Sequence, residues 1–142
     1  MSSEAIIVAV VNCRSLRNKI PEFHHLIHST QCNVIIGTES WLTDDDSDAE
    51  VFPKSFSVYR KDRINRAGGG VFVAVKNSIV SQAENVTETS VESVWCSIKC
   101  PKSKTILVCS YYRPPNSDIA SILDFETQIN HCLLYTSPSP RD

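Results

Sequence analysis

The chain has 142 residues, 42% of them hydrophobic, and is nearly balanced in charge, with 14 basic against 16 acidic side chains. That length is close to one domain with a core of its own, and the balance argues against a polybasic protein that holds nucleic acid by bulk charge, although not against a local basic stripe. No run reaches the ~18–20 apolar residues of a membrane span, and the N-terminus lacks a basic start and a cleavage site, so the expected location is intracellular, in nucleus or cytoplasm, and not secreted.

In chain order, the first predicted element is the apolar run Ala5-Ile6-Ile7-Val8-Ala9-Val10-Val11, which closes on Asn12. Asn33-Val34-Ile35-Ile36-Gly37-Thr38 repeats the pattern and closes on Glu39, followed by Ser40-Trp41-Leu42; residues 70–75 form a third run. Continuous Val- and Ile-rich runs of this kind predict strands covered on both faces. Between the first two, Ile20, Phe23, Leu26 and Ile27 recur at helical spacing, with Asn18 as N-cap and Pro21 tolerated in the first turn. Thr43 to Asp48 holds four aspartates in six residues and reads as a loop, and Arg66-Ala67-Gly68-Gly69-Gly70 reads as a turn opening a strand.

Val91 to Lys99 is more mixed, as expected of a strand with one wetter face. Thr105-Ile106-Leu107-Val108-Cys109-Ser110 is again apolar and closes on Tyr111-Tyr112-Arg113-Pro114-Pro115-Asn116. A second helix is expected from Asp118, a good N-cap, through Ile119, Ile122, Leu123, Ile129 and Leu133. The order β-α-β, then strands, then β-α predicts an α/β fold with sheet layers flanked by helices. One domain over 1–134 accounts for these elements. Residues 135–142 carry no apolar period and read as translated adaptor or vector sequence.

Six cysteines are scattered with no CxxC pair and no histidine at zinc-finger spacing, which points to buried free thiols. Cys96 and Cys100 would share a face of an extended run, which keeps a pairing between them open. His24 and His28 are four apart on the first helix without a third ligand, and a solvated helix face is the expected reading.

Three polar groups thus arrive at the ends of apolar runs: the Asn12 amide, the Glu39 carboxylate and the Tyr112 phenol. In α/β folds ligand-facing groups sit where buried strands end, and carboxylates and carboxamides are hard oxygen ligands suited to Mg²⁺ or Mn²⁺. Each has an ordinary reading as well: a turn glutamate, an asparagine turning the chain, a tyrosine packed at a rigid turn. Arg60, Lys61 and Arg63, with Arg66, form the densest basic cluster, read either as a phosphate grip or as an exposed charged hairpin.

The blocks Asn12-Cys13-Arg14-Ser15-Leu16-Arg17-Asn18-Lys19 and Ile35-Ile36-Gly37-Thr38-Glu39-Ser40-Trp41-Leu42 resemble the start of an endonuclease/exonuclease/phosphatase domain. The similarity is greatest to the endonucleases of LINE-type non-LTR retrotransposons. Tyr59-Arg60-Lys61-Asp62-Arg63, Gly68-Gly69-Gly70-Val71-Phe72-Val73-Ala74-Val75 and Tyr112-Arg113-Pro114-Pro115 follow in the family's order. The resemblance spans residues 5–130 and implies part of a DNase-I-like four-layer α/β sandwich that hydrolyses DNA phosphodiesters with Mg²⁺ or Mn²⁺.

The same resemblance makes Asn12, Glu39 and Tyr112 the catalytic residues, with Glu39 and Asn12 at the metal and Tyr112 on the phosphate. Arg60, Lys61, Arg63 and Arg113 would contact the DNA backbone, and a reverse transcriptase domain would follow in the parent polyprotein. The family also uses a later Asp-x-Asn block and a near-C-terminal Asp-His pair, and nothing after Tyr112 supplies either. The expected protein is therefore a truncated endonuclease domain. A non-catalytic remnant, or a phosphatase of the same superfamily, is the alternative.

Overall fold

The computed structural model describes residues 5–63, 68–86, 91–100, 104–113 and 119–135, without the side chains of 119–121 and 131–135. Its strands are β1 (Val8–Asn12), β2 (Val34–Thr38), β3 (Phe56–Lys61), β4 (Val71–Lys76), β5 (Val80–Ala83), β6 (Glu92–Lys99) and β7 (Thr105–Tyr112). Its helices are α1 (Ile20–Thr30), α2 (Asp48–Val51) and α3 (Ile119–Tyr135). One sheet has the order β1-β2-β4-β3 and the other β5-β6-β7. The β1–β2 pair is parallel, as the crossover through α1 requires, and the remaining pairs are antiparallel.

Alternation along the strands builds the layers. Ile35, Phe72 and Ala74 face outward from the first sheet and pack with Phe23 of α1 and with Leu16, Leu42, Val51, Phe52 and Phe56. Phe23, Phe52 and Phe72 meet edge to face, with ring centroids 5.7, 6.0 and 5.0 Å apart. Val34, Val73 and Val75 face the other way, against Cys96 and Ile98 of the second sheet. On that sheet's outer side, Phe125 of α3 stacks on Tyr111 at 4.0 Å. Buried Gln128 accepts hydrogen bonds there from Trp95 Nε1 (3.1 Å) and Ser93 Oγ. The result is helix, sheet, sheet, helix: the four layers expected.

The structure departs from the sequence expectations at several places. β2 and β4 are covered on both faces, but β1 is an edge strand whose Val8 and Val10 are 49% and 76% exposed. These residues share a face with Val34 and Ile36, toward the second sheet, yet β7 lies over β2 and β4 and leaves that face of β1 open. β6 is the reverse case: as the central strand between β5 and β7 it is buried on both faces, at Trp95, Cys96, Ser97 and Ile98. Asn18 does not cap α1. A 3₁₀ turn, Arg17–Lys19, runs into the helix, Lys19 takes the N-cap position, and the Asn18 amide donates to Ser15 Oγ (2.9 Å).

The aspartate-rich segment contains the start of α2, held by a capping box in which Ser47 and Glu50 exchange hydrogen bonds. His24 does not face solvent but bonds the Val51 carbonyl through Nε2 (2.8 Å), tying α1 to α2, while His28 is exposed. Cys13, Cys32, Cys96, Cys100 and Cys109 are free thiols, so Cys96 and Cys100 are not paired. Asp118 and residues 136–142 lie outside the described residues, and α3 runs one residue past Leu134.

Candidate active site

Register brings the strand ends into line. Asn12 pairs with Thr38, Thr38 with Val71 and Val71 with Lys61, so one end of the first sheet presents a row across all four strands. Adjacent strands lie about 4.8 Å apart, which puts Glu39, one residue beyond Thr38, beside the end of β1. From the second sheet, Ser110 Oγ donates to the buried Gly37 carbonyl (2.7 Å). That contact directs Val108, Ser110 and Tyr112 of β7 toward the first sheet, while Tyr111 points away onto α3. Tyr112 then lies close enough to the Glu39 carboxylate for that group to raise its phenol pKa. Glu39 and Tyr112, 73 residues apart in the chain, thus come together at the end of the sandwich where register also sets the last residue of β1, Asn12.

The loops there are stitched in unusual backbone conformations. Arg14 (φ 48°), Ser15 (φ 79°), Glu39 (φ 52°) and Trp41 (φ 58°) are all left-handed, a region L residues occupy only when their surroundings hold them. The 13–16 and 38–40 segments hold each other through Cys13 N to Thr38 O (2.8 Å), Ser15 N to Glu39 O (3.1 Å) and Leu16 N to Ser40 O (2.9 Å). The glycine turn closes the other side, with Ser40 N to Gly70 O (3.2 Å) and Trp41 N to Gly69 O (2.9 Å). Gly70 has φ 91°, and a Cβ there would collide with Ser40 Oγ, so this close approach requires glycine.

Electrostatics follow from that packing. Desolvation, then the charge of Glu39 and its hydrogen bond, raise the Tyr112 phenol above its usual pKa, so it remains a protonated donor. Burial pushes the Cys13 thiol up to about 11, with Lys19 opposing and Glu39 reinforcing the shift. Cys13 is therefore not a nucleophile.

The basic residues have internal partners. Arg63 donates to Glu92 Oε2 through Nε (2.9 Å) and Nη2 (2.5 Å), and the other Glu92 oxygen accepts from Gly70 N (3.0 Å). Arg60 donates to Asp48 Oδ1 (2.8 Å), Thr43 O (2.8 Å) and Asp62 Oδ2 (2.9 Å). Lys61 Nζ reaches Val91 O (3.1 Å). Arg63 and Glu92 both act on Tyr112, so this pair borders the site. Arg113 is exposed next to Tyr112 in sequence, and Arg66 lies outside the described residues.

Glu92 was not legible as a site residue. It stands 22 residues from Gly70 and 29 from Arg63, so only the folded register, which sets it opposite Tyr112, reveals its place. The Glu39 carboxylate and Asn12 amide suit a hard divalent cation. Among the described residues no group of three or more His, Cys, Asp or Glu side chains could enclose a metal. No helix among them is long and apolar enough to cross a membrane.

Neither a family model nor a curated protein matches the sequence. Solved structures do match in fold. The endonuclease domain of TRAS1, a telomere-specific non-LTR retrotransposon, superposes with a TM-score of 0.69 at 15% identity, covering 95% of this chain and 55% of that one. The Xenopus laevis APE2 catalytic domain gives 0.69 at 14% identity, over 89% of this chain and 54% of its own. An AP endonuclease from Archaeoglobus fulgidus gives 0.62 at 13% identity, over 94% and 53%. The chain has the DNase-I-like α/β fold in part, spanning about half the length of these structures.

Proposed function

We propose that this chain is the N-terminal part of a divalent-metal-dependent DNA endonuclease domain of retrotransposon type. The observation that carries the reading is the Tyr112 phenol on the Glu39 carboxylate, at strand ends that register sets beside Asn12. The fold of nucleases whose length it half spans supports the same reading.

In this scheme Glu39 and the Asn12 carbonyl would hold Mg²⁺ or Mn²⁺, which would supply positive charge to stabilise the phosphodiester as it is hydrolysed. Tyr112, kept protonated, donates a hydrogen bond to the phosphate in place of Glu39. The Asn12 amide N–H orients the same group or the attacking water. The left-handed backbone at Glu39, held by Ser15 and the glycine turn, fixes the carboxylate so that little reorganisation accompanies binding. Arg113 and the Arg60–Lys61–Arg63 segment would contact backbone phosphates. For the latter three, DNA competes with Asp48, Asp62, Val91 O and Glu92, which makes them adjustable contacts and not a free cationic patch.

Full activity in this reading needs a general base and further carboxylates from residues beyond these 142, each worth on the order of 10²–10⁴ in rate. The alternative, a folded remnant without turnover, draws on the absence of a three-ligand cluster among the described residues. Plasmid nicking with Mg²⁺ and Mn²⁺ tests this. The 142-residue chain leaves supercoiled DNA intact, whereas the whole domain of the parent open reading frame nicks it and loses that activity on Glu39→Ala. Nicking by the short chain that Glu39→Ala abolishes would contradict the need for further residues. An inactive whole domain would leave the remnant reading in place.

A further inference from the structure

We infer that Trp41 is a stacking platform for an unpaired nucleobase next to the phosphate held at Glu39. In the segment that carries it, Ser40 is 1% and Leu42 is 2% exposed, while Trp41 between them is 44% exposed. The chain holds it outward in a left-handed conformation, φ 58°, and its backbone N–H donates to the Gly69 carbonyl at 2.9 Å. Such a backbone has few alternatives, so the indole is presented from a rigid mount two residues after the proposed metal ligand.

Gly68, with φ 86°, lies between Arg63 and the indole: a Cβ there would stand 3.4 Å from Arg63 Nη1 and 3.9 Å from Trp41 Nε1. Arg63 is itself paired with Glu92. A nucleotide offers a π-face for the indole and a phosphate that would share the guanidinium with Glu92. In an intact duplex the base faces are covered by their neighbours, so this geometry selects an unstacked base: a single strand, or a base turned out of the helix.

The inference rests on the nucleic-acid reading above but not on its metal, and the test keeps the two apart by working in EDTA. The chain has two tryptophans, and the other, Trp95, is 8% exposed with its indole N–H bonded to Gln128, so a bound strand can stack on Trp41 while Trp95 contributes a constant background. The full chain is titrated at low salt with an oligo-dT of about ten nucleotides, within the usual site size of single-strand binders, and with the same strand annealed to its complement.

The single strand is expected to quench emission saturably and the duplex to quench it far less. Trp41→Phe should bind as the parent does while losing the quench, and Trp41→Ala should bind about 5- to 150-fold more weakly, the usual loss per stacked base. Equal affinity of Trp41→Ala and the parent would overturn the inference, as would a quench that survives Trp41→Phe or equal quenching by duplex and single strand. Mn²⁺ binding, scored separately, bears only on the metal reading.

Discussion

Gly37→Ala should destabilise the protein strongly, although glycine to alanine in an extended strand ordinarily stabilises by about 0.4–1 kcal/mol through the unfolded state. A Cβ at Gly37 would lie inside contact distance of Phe72 Cε2 and Cζ and 2.9 Å from Cδ2. Phe72 has no exposed surface and is wedged edge to face between Phe23 and Phe52, so its ring cannot yield without displacing both. Overpacking costs ~1–3 kcal/mol, and this site belongs at the upper end, about 3 kcal/mol. With a urea dependence of about 1.5–2 kcal/mol per molar, the unfolding midpoint falls by about 1.5–2 M.

Phe72→Leu alone should cost about 1–2 kcal/mol, yet in the double variant it makes room for the new methyl. The two changes should therefore be non-additive by about 2 kcal/mol. Gly37 also offers its carbonyl to Ser110, so displacing this strand moves the junction that brings Tyr112 to Glu39. A Gly37→Ala protein within ~0.5 kcal/mol of the parent, or strict additivity with Phe72→Leu, would refute the packing described.

Two further outcomes follow from the titrating groups. Burial raises the Asp46 carboxyl, but hydrogen bonds from Thr43 and Arg17 outweigh it, and its folded pKa lies below the usual value; that of exposed Glu50 is lowered too, by Ser47 and Arg17. Their stabilisation is therefore complete above pH ~4 and lost as pH falls through the depressed folded values, and urea midpoints measured against pH should show Asp46→Asn flattening that acid limb. Burial pushes Cys13 and Cys96 to about 11. At pH 8 only on the order of one in a thousand is thiolate, so both should label with a disulfide reagent far more slowly than Cys100, and a burst of modification at Cys13 would argue that β1 frays.

The parts of the fold that local pattern controls were legible. The Val/Ile runs of β2 and β4, the amphipathic period of α1 and the glycine turn all read correctly because each reflects nearest neighbours in sequence. β1 misled because its run is as apolar as β2, while its cover depends on how far β7 reaches. β6 misled in the opposite sense, since serines 93 and 97 are buried by packing and, at Ser93, by a bond to Gln128 of α3. At the site, Glu39 and Asn12 were visible as polar residues closing apolar strands. The partners of Arg60 and Arg63 were not, because Asp48 and Glu92 reach them only through tertiary folding, across 12 and 29 residues. Arg60 and Arg63, which looked like part of a loose patch, are members of ion pairs.

The central claim is that Asn12, Glu39 and Tyr112 form one cation- and phosphate-binding site. Mn²⁺ titration of the ¹⁵N-labelled chain tests it most directly, since the paramagnetic ion broadens only nearby amide signals. The structure predicts that the Asn12 side-chain amide and the backbone amides of Cys13, Glu39, Ser40 and Tyr112 broaden first and together, and that Glu39→Gln abolishes the effect. Broadening that begins instead at Asp44, Asp45 and Asp48, or that persists unchanged in Glu39→Gln, would contradict it.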